Sequence, residues 1–385
     1  MMSHEFRSVP RILCQAGALQ GIGQVFAGLG ARRVLLVCDP GIVKLGFAAK
    51  AQDALEAAGC VVAVFDQVVA DPPASVVKQA VRQARAFEAD GVLGLGGGSS
   101  LDAAKLVALL INSEQPLEEL YGTDKAHGQR TALVLMPTTA GTGSEVTWVS
   151  VITDEQQRKQ AVYSPQLMPD VAVLDPELTL GLPAQVTAAT GLDAMVHAIE
   201  AYTSRTRKNP ISDGLATAAL GLLGTNLRTV LADGSDVAAR SAMLQGSLMA
   251  GMAFVNASVA AIHALAYPLG ARFHIPHGHA NALVMAPVIR FNLAAAQRQY
   301  AELAAHLLPD MPFADEASAA EAFVQAIESL VKDSGLEMRL SKLHVDEAAI
   351  PAMATDVVVG IGRLIDSNPR DMTEQDVEAI YRGIF

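Results

Sequence analysis

Residues 1–182 read as an α/β domain built on a doubly wound parallel sheet, and residues 183–385 as an all-α domain. Three observations carry this reading. The chain has 385 residues, enough for about two cores at roughly 100–200 residues per domain. In the first half, short β-branched runs alternate with longer helical patterns, the order expected of parallel strands joined by helical crossovers. After Pro183 the strand signals stop, and Ala-, Leu- and Met-rich segments of helical periodicity continue to the end of the sequence.

The first strong strand is expected at 33–39 (RVLLVCD), followed by a helix ending near Gly59. A strand at 61–65, a helix over about 75–88 and a strand at 91–95 come next. The apolar run 132–136 stops at Pro137, and 147–153 and 170–174 are the remaining strand candidates for the sheet. In the helical half, breaks are expected at Asn209 and Pro210, at Asp233 and Gly234, and at Pro268, Pro276 and Pro309. Two domains imply a cleft, the default place for a ligand.

Composition narrows the function. There are 28 Lys and Arg against 40 Asp and Glu, a net charge of −12, with 51% hydrophobic and 18% charged residues. This excludes a disordered tail protein and discourages nucleic-acid partners, leaving a small polar metabolite as the expected ligand. Cys14, Cys38 and Cys60 are odd in number and lack CxxC spacing, which argues against a disulfide framework or a thiolate zinc site and for a reducing cytoplasm. The opening MMSHEFRSVPRIL carries Glu5 and Arg7 and no apolar signal core, and no uninterrupted apolar run reaches the roughly 18 residues of a membrane span. A cytoplasmic protein without a membrane partner is expected.

Two loops suit a dinucleotide. In LGLGGGSSLDAAK a strand runs into Gly96, Gly97 and Gly98 and a helix opens at Ser99 or Ser100, so backbone N–H groups can approach a diphosphate at the helix's positive end. A tight strand-to-helix turn would need the same glycines. In PTTAGTGSE, Thr138, Thr139 and Thr142 follow a strand end where ligands of open α/β sheets gather, although Thr142 or Ser144 could equally cap a helix. Asp39 closes the first strand, where a carboxylate accepts ribose hydroxyls of NAD and repels the extra phosphate of NADP; as a turn Asp before Pro40 and Gly41 it needs no ligand.

The helical half holds the other constellation. GLDAMVHAIE puts Asp193 and His197 four apart on one helix face, as a metal pair or a surface hydrogen bond. His263 lies in an apolar helix, and FHIPHGH supplies His274, His277 and His279. A buried imidazole such as His263 is ordinarily a satisfied core residue. One Asp and three His would nevertheless suit Fe²⁺ or Zn²⁺ as a Lewis acid.

Taken together and in this order, GGGSSLDAAK, PTTAGTGSE, GLDAMVHAIE and the 263–277 block resemble the iron-containing (group III) alcohol dehydrogenase family. The resemblance implies a dehydroquinate synthase-like architecture: a Rossmann-like NAD(P)-binding domain, a helical metal-binding domain, and hydride transfer between a small primary alcohol or diol and nicotinamide. It further implies Asp193, His197, His263 and His277 as metal ligands for Fe²⁺ or Zn²⁺, and Gly96, Gly97, Gly98 and Ser99 as the diphosphate loop. Thr138, Thr139 and Thr142 become nicotinamide-side contacts, Asp39 the adenosine-ribose acid favouring NAD, and Lys159 a neighbour of the cofactor ribose, or else a solvated lysine. A homodimer or larger homo-oligomer is implied as well.

One departure stands out. Many alcohol-reducing members carry a histidine four residues after the third ligand, viewed as part of a proton path, and here that place is Tyr267. Tyr267 could donate a hydrogen bond or shape the pocket. His279 is either a titrating neighbour of the substrate or a loop imidazole. Trp148, Phe254 and Tyr267 are candidates for an apolar wall, or for core. A maleylacetate reductase-like enzyme, a hydroxyacid-oxoacid transhydrogenase and a binding protein without turnover are the competing readings; the complete Asp-His-His-His set speaks against the first, and the paired loops and ligands against the last.

Overall fold

The computed structural model describes residues 4–156 and 158–385. The chain divides into two units, Ser8–Gly181 and Leu182–Phe385, with the N-terminal residues through Arg7 joined to the second.

In the first unit the strands are β1 (Arg11–Cys14), β2 (Arg33–Val37), β3 (Val61–Phe65), β4 (Gly91–Gly96), β5 (Gly122–Thr123), β6 (Ala132–Pro137), β7 (Val149–Thr153), β8 (Lys159–Tyr163) and β9 (Val171–Leu174). Six of them form a parallel sheet in the order β1-β9-β6-β4-β2-β3. The crossover helices are α1 (Ile22–Gly28), α2 (Pro40–Lys44), α3 (Phe47–Ala57), α4 (Ala74–Ala86) and α5 (Gly98–Leu110). The strands are apolar without interruption because both faces are covered. Period-two alternation sends Leu35, Val37, Val92, Leu133 and Leu135 into one core with α4 and α5, and Val34, Leu36, Leu93, Val134 and Met136 into a second with α1 and α3. From β2 the chain winds to β3 on one side and to β4 on the other, so the order reverses between β2 and β4.

Several features of the first unit depart from the sequence reading, among them strands β5 and β8, which were not expected. The segment 147–153 forms β7, which lies outside the large sheet and pairs antiparallel with β8 in a three-stranded sheet, β5-β8-β7. Its burial alternates residue by residue, the mark of a strand covered on one face only. The edge strand β1 is also additional; four mostly exposed residues carry too little apolar pattern to announce it.

The second unit is helical: α6 (Ala184–Thr203), α7 (Pro210–Ala232), α8 (Val237–Ala257), α9 (Ala261–Phe273), α10 (His277–Leu307), α11 (Glu316–Asp333), α12 (Ile350–Thr355), α13 (Gly362–Ile365) and α14 (Glu374–Gly383). Local chemistry explains the starts. Asn209 and Ser212 cap α7 reciprocally, Asp236 caps α8, and Asp315 with Ser318 caps α11. α7 is apolar and long enough to cross a membrane, and it packs along α6 and α8. The break expected at Pro268 is absent, since α9 runs through it. Pro268 leaves Ala264 O without its N–H donor, and Tyr381 Oη donates to the next carbonyl, Leu265 O, at 2.6 Å.

A candidate metal centre and a candidate dinucleotide edge

At the carboxyl edge of the large sheet, neighbouring strands β2, β4 and β6 deliver Asp39, the Gly96–Ser100 turn and the threonine loop side by side. Thr138 N donates to Gly96 O at 3.0 Å, and Ser100 Oγ donates to Asp39 Oδ2 at 3.3 Å. A Cβ added to Gly98 would lie 2.8 Å from Thr142 Cγ2, so glycine is what lets the two loops close on each other, with Thr139 beside Gly97. Helix α5 begins at Gly98, one or two residues earlier than the expected Ser99 or Ser100, behind an N-cap Gly97 that brings no side chain. This is the topological reversal point, where open α/β sheets receive ligands.

The alternative uses of these side chains are present too. Asp39 Oδ1 caps α2, accepting from Gly41 N at 2.8 Å and Ile42 N at 3.3 Å. Thr142 Oγ1 accepts from Ser144 N at 3.2 Å. Lys159, on β8, pairs with the carboxylate of Asp71, whose backbone N donates to Ser99 Oγ at 3.3 Å. Lys159 is therefore tied to the glycine turn through Asp71 and is not simply solvated.

A buried network holds the threonine loop. Lys105 is fully buried and donates to Ser144 Oγ at 2.8 Å, Thr147 Oγ1 at 3.0 Å and Val149 O at 2.7 Å. Asp102 accepts from Ser144 Oγ at 2.5 Å and Val151 N at 2.8 Å. Burial lowers the Lys105 pKa against the raising effect of Asp102 and Glu145. Beside it, burial pushes the Glu145 carboxyl up to about 7. None of these three was singled out from sequence; an AAK or GSE triplet gives no sign that its charged end is buried.

In the helical unit, three helices converge. Asp193 and His197 stand one turn apart on α6, His263 comes from the first turn of α9, and His277 opens α10. Asp193, His263 and His277 each offer a ligand atom within 4.8 Å of the others. His263 Nε2 lies 3.1 Å from His197 Nε2, and His277 Nε2 lies 3.7 Å from Asp193 Oδ1. Donors at about 2.1 Å from one ion stand roughly 3–4 Å apart, so this spacing fits a single cation. Gly278 is what lets α10 approach α6: a Cβ there would sit 2.5 Å from Ala189 O.

The donor chemistry agrees. Glu200 is buried and accepts from His263 Nδ1 at 2.6 Å, from Ala260 N at 2.8 Å and from Ile262 N at 2.6 Å. A proton on Nδ1 leaves the Nε2 lone pair of His263 facing the other donors, the arrangement that carboxylate-held histidines give transition metals. The same carboxylate fixes the start of α9, which leaves α8 at 103° after Ser258, held at φ 121°. Burial raises the Asp193 pKa, but His197, His277, His263 and the Asn281 amide outweigh it and hold the carboxyl below its ordinary value. Asp193, His197 and His263 are buried, whereas the His277 side chain is 43% exposed, so the cluster opens at that side.

Neighbouring aromatics line the cluster. Phe254 stacks on His197 at 4.3 Å, and the Tyr267 ring stands 6.4 Å from His263 and 6.1 Å from His277. These ring distances place Tyr267 as a wall of the cluster. Trp148 is half-buried just before β7 in the other unit. Two of the candidate imidazoles turn elsewhere: His274 is exposed at the left-handed C-cap of α9, and His279 Nε2 bonds Glu337 O at 2.6 Å. Glu200 and Asn281 were missed as site residues. The available signal was helical spacing, three after His197 and four after His277 respectively.

Comparison with known proteins gives the family. The family described as iron-containing alcohol dehydrogenase matches residues 10–176, and the C-terminal part of the Fe-containing alcohol dehydrogenase family matches residues 187–385. The chain is 40% identical to long-chain-alcohol dehydrogenase 1 of Geobacillus thermodenitrificans over 96% of this chain and 93% of that one. It resembles the structure of a 1,3-propanediol oxidoreductase with TM-score 0.96 and 35% identity, covering 100% of both chains. It also resembles sulfoacetaldehyde reductase from Bifidobacterium kashiwanohense, solved in complex with NAD⁺, with TM-score 0.90 and 29% identity over 100% of this chain and 99% of that one. With both halves matched in sequence and the whole chain matched in structure, this protein belongs to the iron-containing alcohol dehydrogenase family.

Proposed function

We propose that the chain is a metal-dependent, NAD-linked alcohol dehydrogenase that interconverts small primary alcohols or diols and their aldehydes, with residues 1–182 binding the dinucleotide and 183–385 the metal and substrate. The observation that carries the reading is the convergence of Asp193, His263 and His277, with His197 Nε2 3.1 Å from His263 Nε2 and His263 oriented by Glu200. One carboxylate and three neutral imidazoles suit Fe²⁺, and also Zn²⁺. A divalent cation held there supplies Lewis acidity toward the substrate oxygen.

The chain's own groups do the rest. The backbone of Gly96, Gly97 and Gly98 with Ser99 at the start of α5 binds the diphosphate. Asp39 accepts the adenosine ribose hydroxyls and disfavours the phosphate of NADP, Thr138, Thr139 and Thr142 contact the nicotinamide side, and Lys159 neighbours the ribose. Phe254 and Tyr267 wall the substrate and exclude water. With Tyr267 where many relatives place a histidine, the substrate proton leaves through water, the ribose hydroxyls or a nearby imidazole. Free Cys14, Cys38 and Cys60 suit a reducing cytoplasm. Self-association as a homodimer or larger homo-oligomer is part of the proposal, and sedimentation at graded concentrations tests it.

The test is NADH formation with a panel of short alcohols and diols, using metal-stripped enzyme reloaded with Fe²⁺ or Zn²⁺ beside His263→Ala. Turnover is expected to depend on added metal and to fall by roughly 10³-fold or more in the variant, the several kcal/mol that a Lewis acid supplies. No turnover with any alcohol, despite bound metal and nucleotide, would overturn the reading in favour of the transhydrogenase or reductase relatives.

A further inference from the structure

We propose that Asn281 is a positioning residue of the metal centre: its amide holds the Asp193 carboxylate toward the imidazoles and so sets both the affinity and the coordination geometry of the bound cation. This inference rests on the metal reading proposed above.

Asn281 lies on α10 four residues after His277, so the two share one helix face. It is fully buried. Its Nδ2 is 2.6 Å from Asp193 Oδ1 and 3.3 Å from both His263 Nε2 and His277 Nε2. The other end of the amide is different, because Oδ1 is buried with no hydrogen-bond partner among the described residues. A buried acceptor left unpaired is costly. The residue is thus held for its donors, and the shortest contact they make is to Asp193, whose carboxylate can accept the amide on one lone pair and keep others for a cation.

The residue type matters as much as its place. A lysine here would compete with a cation for Asp193, and an aspartate would add a second charge beside it. An amide supplies N–H groups without net charge, which leaves Asp193 as the single anion of the set. Geometry follows the same logic. α6 presents Asp193 and His197 four apart, α10 presents His277 and Asn281 four apart, and the 2.6 Å bond between Asn281 and Asp193 joins the two pairs directly. Without that bond the Asp193 side chain has lost a donor that selects its rotamer, while the packing of the helices is unchanged.

The experiment uses the full-length, metal-stripped protein as wild type, Asn281→Leu, Asn281→Ala and Asp193→Ala. Co²⁺ and Zn²⁺ affinities are read by competition with a chromogenic chelator, and the visible d–d absorption of bound Co²⁺ reads its geometry. Asn281→Leu keeps the branching at Cγ, adds some bulk and removes the donors, and it is expected to lower affinity by about 10–100-fold, the usual effect of losing a group that orients a ligand. Its Co²⁺ spectrum should shift, and the unfolding midpoint of the metal-free protein should not fall. Asn281→Ala removes the donors without adding bulk or charge and should shift the spectrum as well, which keeps the test valid if the leucine variant misfolds. Wild-type affinity and an unchanged Co²⁺ spectrum in both variants would overturn the proposal. Failure of the wild type to bind Co²⁺, or equal binding by Asp193→Ala, would instead bring down the metal reading on which it stands.

Discussion

In the helical unit the buried acids Asp193 and Glu200 face imidazoles, while in the α/β unit the buried groups Lys105 and Glu145 and the half-buried Asp102 face hydroxyls, backbone and one another. Both sets are ionisable and enclosed in apolar surroundings, yet their partners differ. The first set orients side chains that could ligate a cation. The second pins Ser144, Thr147, Val149 and Val151, the stretch that continues the threonine loop into β7. A ligand site made of side chains needs its charges at the ligand, whereas one made of backbone needs them behind the loop.

The largest effect that tests this contrast is Lys105→Met. It would leave three acceptors without their donor and Asp102 without its buried cation, and breaking such a pair from one side costs about 3–5 kcal/mol. Trp148 is the single tryptophan and lies in the α/β unit, so its fluorescence reports unfolding of that unit. A lower denaturation midpoint by Trp148 fluorescence, with Zn²⁺ affinity of the folded protein unchanged, is expected. An unchanged midpoint would mean that the lysine does not hold the loop.

Next in size is a pH effect from Glu145. Its carboxyl stands at about 7 in the fold against an ordinary value of 4.5, because burial outweighs its own backbone hydrogen bond and the attraction of Lys105. The folded state therefore holds this proton more tightly than the unfolded one. Its stabilising contribution is complete below pH 4.5 and is lost as pH rises to about 7, a swing of order 3 kcal/mol. Urea midpoints by Trp148 fluorescence should fall across that window in the wild type. In Glu145→Gln the slope should be flatter, and an identical slope would show that Glu145 titrates normally.

The same contrast explains what could be read before the structure. Asp193 and His197 were legible because helical spacing puts them on one face, and the strands at 33–37, 91–95 and 132–136 because doubly covered strands are apolar throughout. The edge β2-β4-β6 was partly legible, since glycine betrays a close approach but strand order is a long-range fact. His277, Gly278 and His279 differ by helix phase, which sends one imidazole to the cluster and the other to Glu337, and the sequence does not give that phase until the first helical residue is known. Glu200 and Asn281 share the helix faces of His197 and His277, but a polar residue in an apolar helix does not declare its partner. Their partners come from α9 and α6, which the fold alone brings near.

The smallest effect, and the sharpest for the comparison, is Glu200→Gln. Glu200 Oε2 accepts both His263 Nδ1 and Ala260 N, and Oε1 accepts Ile262 N, so three donors meet two oxygens. A glutamine keeps the shape but has one oxygen, and its NH₂ must face a donor whichever way it turns. With the oxygen toward His263 the imidazole keeps a hydrogen bond to a neutral acceptor and loses the carboxylate that raises its basicity. Zn²⁺ affinity is expected to fall by about 10–100-fold, roughly 1.4–2.7 kcal/mol. The Trp148 midpoint, which belongs to the other unit, and NAD affinity, proposed above for that unit, should stay as they are. If NAD affinity or that midpoint fell in parallel with the metal affinity, Glu200 would be a scaffold residue like Lys105, and buried charge would serve the same purpose in both units.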